Sequence, residues 1–276
     1  MARAVPAFKT ILSFGFIAAA APAAFAGPIN LITNGDFEQT SMTQNCPTGQ
    51  TSNCADQITT SNVTAWSTTG YNFIYTPTSY RTAASTKNGI VVPAGDPLAY
   101  QTGTNGGQVG LWNATAPSSY TGLYNTIYSN PAGGNFVGAD GAYQVGAITQ
   151  TVNGLEKGGD YAVSFWFAGA QQDGFTSATT EAWKVSLGSQ SFQTAVLNTP
   201  AEGFSGWYQQ TFIFEATGTS EVLSFLAMGT PNGQPPFTLL DGVSAFEVPE
   251  PGTFAMLGAG FAALCVAARA RRARAA

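Results

Sequence analysis

Residues 27–248 of this chain predict an all-β fold, an antiparallel sandwich or jelly roll. Three observations carry that reading. First, several runs alternate with period two. In YAVSFWFA, Tyr161, Val163, Phe165 and Phe167 share one face, while Ala162, Ser164 and Trp166 share the other. WYQQTFIFEA, EVLSFLAM and AWKVSL behave in the same way. Second, turn signals separate these runs at Asn153-Gly154, Gly158-Gly159, Gly188-Ser189 and Gly218-Thr219. Third, no 3.6-residue amphipathic pattern competes with them between the two ends of the chain.

Taken in order, residues 1–26 read as a signal peptide that forms a signal helix. Arg3 and Lys9 supply a positive start, Ile11 to Ala24 is apolar, and Ala24-Phe25-Ala26 offers small residues before a cleavage point. The alternative is an N-terminal membrane anchor, which the shortness of the run and Pro22 oppose. NLITNGDFEQT then reads as an opening strand, with Asp36 and Glu38 on one side and Phe37 on the other. Cys46 and Cys54 bracket a short loop, either as a disulfide of an exported protein or as two free thiols. Ser61 to Gly134 is rich in aromatic residues among Thr, Asn, Gly and Pro, with weak strand periodicity. It reads as long loops with a few short strands, inserted before the regular strands. FTLLDGVSAFEV reads as the closing strand and carries Asp241. If the first and last strands pair, Asp36, Glu38 and Asp241 meet, and such oxygen ligands suit Ca²⁺. Otherwise the three stay solvated as turn caps.

Composition removes several classes of function. The chain has no histidine, so Ser-His-Asp and Cys-His catalysis, histidine-ligated zinc and imidazole switching are excluded. Between the two ends only Arg81, Lys87, Lys157 and Lys184 are basic. They stand against fourteen acidic residues, a formal net charge of −10. Such a surface repels phosphate backbones, so no nucleic-acid partner is expected. A glycosidase would need two carboxylates at a set separation, and no local motif selects a pair. The chain is therefore expected not to be an enzyme.

The C-terminal segment, residues 249–276, has three parts. Pro249, Glu250 and Pro251 hold an extended backbone and block helix formation before the next segment. Thr253 to Ala268 is free of charge. As a helix its sixteen residues span about 24 Å, short of a ~30 Å hydrocarbon core. Arg269, Arg271, Arg272 and Arg274 follow; they snorkel and fix a cytoplasmic end. The expectation is a C-terminal transmembrane helix. The whole arrangement resembles the PEP-CTERM sorting signal. That resemblance implies cleavage by a membrane-embedded exosortase after transient anchoring in the inner membrane. It also implies prior handling by signal peptidase and the general secretion machinery, and a Gram-negative surface or extracellular setting with exopolysaccharide or biofilm.

The opening and closing segments, with ITQTVNGLEKGGDYAVSFWFAG between them, resemble carbohydrate-binding jelly-roll modules of the galactose-binding-like fold. The resemblance implies a structural calcium where the end strands meet, and a glycan partner. Sugar recognition needs planar rings for pyranose faces and amides for hydroxyls. Trp66, Tyr71 and Trp112 are the ring candidates, and Gln171 and Gln172 the amides. Three functions stand, in order: a non-catalytic surface protein that engages exopolysaccharide, a structural biofilm or matrix protein with no glycan ligand, and last a carbohydrate-active enzyme.

Overall fold

The computed structural model describes residues 28–41, 55–59, 61–100, 107–116, 124–249 and 251–275. The expected signal peptide, Cys46, Cys54 and Glu250 lie outside the described residues. The first half contributes short strands: β1 (Ala55–Asp56), β2 (Asn72–Tyr75), β3 (Ser85–Lys87), β4 (Ile90–Val92), β5 (Leu98–Tyr100) and β6 (Gln108–Gly110). Longer strands follow: β7 (Phe136–Asp140), β8 (Ile148–Asn153), β9 (Asp160–Gln171) and β10 (Thr179–Leu187). Then come β11 (Gln190–Gln193), β12 (Leu197–Thr199), β13 (Tyr208–Glu215), β14 (Ser220–Thr230), β15 (Pro236–Glu247) and helix α1 (Pro251–Ala275).

Two sheets make the expected antiparallel sandwich. One runs β13-β9-β15-β7-β2, the other β11-β10-β14-β8, with β12 also pairing β10. Period-two alternation puts one set of side chains from each sheet into a shared core. Val163 and Phe165 of β9 and Leu240 of β15 meet Trp183 and Val185 of β10 and Leu223 and Phe225 of β14. Phe225 takes Phe165 edge-on at 5.1 Å and Trp183 edge-on at 5.9 Å, the arrangement aromatic quadrupoles favour.

The aromatic, polar first half is not a loose insertion. It packs over the outer face of the first sheet and closes a second core there, joining Phe73 and Tyr75 of β2, Phe136 of β7, Phe237 and Leu239 of β15, Val109, Leu111 and Trp207. β2 and β7 are therefore buried on both faces along their whole length. Two-sided burial removes the polar half of the alternation, which is why strand periodicity is weak there.

The opening segment is a turn rather than a strand. Asn34 and Phe37 have φ of 52° and 55°. The Asn34 side chain holds that turn, accepting from the Gln39 N–H at 2.8 Å and donating to the Gln39 and Thr64 carbonyls. A local side-chain bond of this kind competes with strand pairing. The segment still runs beside β15: the Leu31 N–H donates to the Ala245 carbonyl at 3.0 Å, and the Val243 N–H to the Gly35 carbonyl at 2.9 Å.

The C-terminal helix forms, but the transmembrane expectation is not met. No helix among the described residues is long and apolar enough to cross a membrane. The charge-free stretch ends at Ala268, and arginines occupy the rest of α1. Pro251 opens the helix instead of lying before it. Proline is suited to the first helical position, where its missing N–H has no partner to lose. Arg272 and Arg274 in the last turn face the negative end of the helix dipole.

Candidate functional site

Of the predicted carboxylates, Asp241 is buried, while Asp36 and Glu38 are exposed on the opening turn and near enough for their charges to act on it. β15 is bulged between Asp241 and Ser244, and Gly242 takes φ 59° inside the bulge. A bulge re-aims the side chain beside it, and here Asp241 is fully buried. Its Oδ1 accepts from the Gly242 N–H at 2.7 Å, and its Oδ2 accepts from the Asn130 amide at 2.7 Å. Burial pushes the Asp241 carboxyl up to about 8, against those two hydrogen bonds and with a further push from the like charges of Glu38 and Asp36. Glu38 accepts from the Asn135 N–H, and its carboxylate fills the space where a side chain on Gly134 would stand. Asn130 Oδ1 is buried without a partner. The oxygen-only donor set, the orphaned amide oxygen and the mutual repulsion of the acids all fit a calcium ion. No three acidic, cysteine or histidine side chains among the described residues form a metal cage by themselves. Asn130, which sequence reasoning missed, would have to complete the set.

The two tryptophans proposed for sugar stacking are not available for it. Trp66 is 1% exposed, packs against Phe37 at 5.2 Å, and donates its indole N–H to the Asn34 carbonyl at 2.9 Å. Trp112 is 6% exposed and donates to the Phe175 carbonyl at 2.8 Å. Both rings are buried, and each spends its indole N–H on a backbone carbonyl. Gln171 is also buried. It accepts from the Glu202 N–H at 2.6 Å and donates to the Ser177 carbonyl, so its amide is spent within the fold.

Tyr71 and Gln172 come together at a surface cleft of about 340 Å³, with Asp140, Tyr143, Phe175 and Asn232. Backbone bonds set its walls. The Tyr71 N–H donates to the Gln144 carbonyl at 2.9 Å, and the Gln172 N–H to the Pro235 carbonyl at 3.3 Å. Tyr71 and Tyr143 meet edge-on at 5.2 Å, and Tyr143 is 52% exposed. Gly70 and Gly146 make that approach possible, because a Cβ on either would lie 2.5 Å from the other's backbone nitrogen. Asp140, at the end of β7, is 1% exposed. Its Oδ1 accepts from the Ala142 and Tyr143 N–H groups at 2.8 and 3.1 Å, while its Oδ2 has no partner. Burial raises this carboxyl to about 6, partly offset by those two bonds. Asp140 and Tyr143 were missed in the sequence. Their signal was the FVGADGAY run, an apolar strand ending in Asp-Gly.

The loop carrying Gln172 and Phe175 is held from beneath. Asp173 is fully buried and accepts from Arg81 and from Lys87, the latter at 2.9 Å. Only a glycine fits at position 110, where a Cβ would fall on the Asp173 carboxylate. Asn88 donates to the Gly174 carbonyl at 3.2 Å.

Residues 247–272 match the family described as the PEP-CTERM protein-sorting motif, so the chain carries that motif at its C-terminus. No curated protein matches the chain. Among solved structures, it is similar to a family 61 carbohydrate-binding module in complex with β-1,4-galactotriose. The TM-score is 0.30 and the identity 19%, over 42% of this chain and 72% of that one. A family 4 carbohydrate-binding module gives 0.27 and 16%, over 41% and 71%. The enzymatically active domain of tailspike protein 4 from bacteriophage CBA120 gives 0.31 and 13%, over 80% and 22%. At such scores the architecture rests on the strand pairing described above.

Proposed function

We propose that this chain is an exported, non-catalytic surface or matrix protein of a Gram-negative bacterium. An exosortase processes it at Pro249–Pro251, and its sandwich engages exopolysaccharide at the Tyr71–Tyr143 cleft. The observation that carries the sorting half is the C-terminal motif match, on a tail that places Pro-Glu-Pro, an apolar stretch and an arginine cluster in that order. The motif implies an exosortase-processed protein of the cell surface or exterior. The short apolar stretch of α1 suits a transient hold on the inner membrane, with the arginines at its edge. Intact mass of the protein from its native host tests this. The expected product ends near the motif, and deletion of the exosortase restores the full tail. Surface material that keeps its arginines beside an active exosortase overturns it.

For the sandwich, the cleft supplies what a sugar needs: ring faces at Tyr71 and Tyr143, amides at Gln172 and Asn232, and an unpartnered acceptor at Asp140. Asp241 and Asn130, with Glu38 and Asp36 from the exposed side of the opening turn, would hold a structural Ca²⁺ that neutralises buried Asp241 and pins that turn to β15. Retardation in gels containing the host's exopolysaccharide, lost in Tyr143→Ala, is the expected binding result. Unchanged mobility across a glycan panel overturns it. A second reading, a structural matrix protein with no glycan ligand, is favoured by the burial of both Trp66 and Trp112. Self-association without sugar would decide for it.

A further inference from the structure

The cleft between Tyr71 and Gln172 contains a group that recognition of a neutral sugar leaves half used. Asp140 is buried, one of its oxygens lacks a partner, and no lysine or arginine lines the cleft. Two of the domain's four basic side chains, Arg81 and Lys87, are committed to Asp173. A desolvated carboxylate with a free lone pair is costly unless a cation or donor reaches it. Around it stand three aromatic rings, those of Tyr71, Tyr143 and Phe175. Ring faces attract ammonium groups, more strongly when water is excluded. The domain as a whole carries a formal charge of −10 between its two ends, which draws cations in and turns uronic acids away.

From this juxtaposition we propose that the cleft selects a protonated amine, and that its ligand is the free-amine (de-N-acetylated) hexosamine unit of a polysaccharide. The proposal rests on the glycan reading above. Gln172 and Asn232 take ring hydroxyls, the aromatic walls take the apolar sugar face, and Asp140 takes the ammonium. An N-acetyl group removes the charge and adds bulk where the carboxylate waits.

Calorimetric titration of the purified full-length protein tests it. The probes are a glucosamine hexamer, its fully N-acetylated counterpart, a neutral glucan hexamer, a galacturonate oligomer and a tetralysine peptide. The glucosamine hexamer is expected to bind at least about tenfold more tightly than any other probe. Asp140→Asn should erase that preference, with a melting curve as the control for folding. Tyr143→Ala, at an exposed ring, should weaken binding of the glucosamine hexamer severalfold if Asp140→Asn does not fold. Equal affinity for the free-amine and N-acetylated hexamers overturns the amine selection and leaves glycan binding standing. Tetralysine binding as tight as the glucosamine hexamer overturns the sugar assignment. No binding to any probe overturns both this proposal and the glycan reading.

Discussion

The two faces of the β13-β9-β15-β7-β2 sheet do different work. The inner face meets the second sheet through Val163, Phe165, Val137 and Leu240, and the side chains this sheet contributes there are almost wholly apolar. The outer face lies under the loop-rich first half of the chain, and buried polar groups gather there: Asp140 with one oxygen unpartnered, Asp241 beside the orphaned Asn130 oxygen, Gln172, and Asp173 paired beneath the cleft. A close-packed apolar layer gains from having nothing polar to satisfy. A loop layer supplies backbone N–H groups and amides from many directions, so it can hold carboxylates at fixed points and leave single oxygens open. The sandwich makes the fold, and its covered outer face makes the candidate sites.

The sharpest way to break that division is to damage the inner face. Phe225 is fully buried and touches Phe165, Trp183 and Trp66. Phe225→Ala should cost about 3–5 kcal/mol, read as a lower urea midpoint with unchanged slope. A loss below about 1 kcal/mol would mean that the two sheets are not locked together there.

Next comes the clamp beneath the cleft. Arg81→Met leaves Asp173 with Lys87 alone inside a packed layer. Removing one partner of a buried pair typically costs about 3 kcal/mol or more, and the partly exposed Lys87 should soften that. The distinguishing readout is local. Amide exchange should speed at 171–175 while the β10–β14 ladder stays protected. Uniform acceleration across both sheets would show that the clamp serves the whole fold rather than the loop.

How much of this was legible beforehand depends on which face a residue serves. Alternation at 161–167 and 208–214 revealed the strands with one mixed or solvent-facing side. It failed at β2 and β7, where both sides are buried and no polar half remains to be read. The closing strand was legible, but the opening one was not, because the Asn34 side chain diverts the backbone into a turn. Tyr71 and Gln172 stand out by residue type alone, and the fold brings both to one cleft. Trp66 and Trp112 were misassigned because an indole that packs and an indole that stacks a ligand have the same letter; only the partner of the N–H separates them. The FVGADGAY run marks a strand end at Asp140 but not its role, and Asn130 has no sequence signal; in both the role is set by an unpartnered oxygen.

One carboxyl breaks the rule from the other side. Glu181 of β10 is fully buried, accepts from the Thr199 hydroxyl at 2.5 Å, and has its other oxygen unpartnered. Burial raises it to about 8 from an ordinary 4.5. The folded state then holds a proton that the unfolded state releases, so stability is greatest below the ordinary carboxylate range and is lost as pH rises toward about 8. Asp241 adds the same sign, raised to about 8 from 3.8. The melting temperature should therefore fall by several degrees between pH 5 and pH 9 without calcium. Glu181→Gln should flatten part of that fall, and added Ca²⁺ should flatten the part due to Asp241. A profile that rises with pH would contradict both assignments.

The smallest effect on stability tests the outer face most directly. Tyr143 is half exposed, and its hydroxyl accepts from the Gln144 amide at 3.1 Å, also at the surface. Truncating such a ring should change stability by no more than about 0.5 kcal/mol. It removes one wall of the cleft, so retention by glycan should drop severalfold while the melting curve stays in place. Trp66→Phe makes the opposite pairing. It deletes a buried indole N–H bond to the Asn34 carbonyl, which should cost roughly 1–3 kcal/mol, yet retention measured on the folded fraction should not move. Stability and binding would then separate across the thickness of one sheet. If Trp66→Phe weakened retention as much as Tyr143→Ala, the division between a fold-making core and a ligand-facing cover would fail.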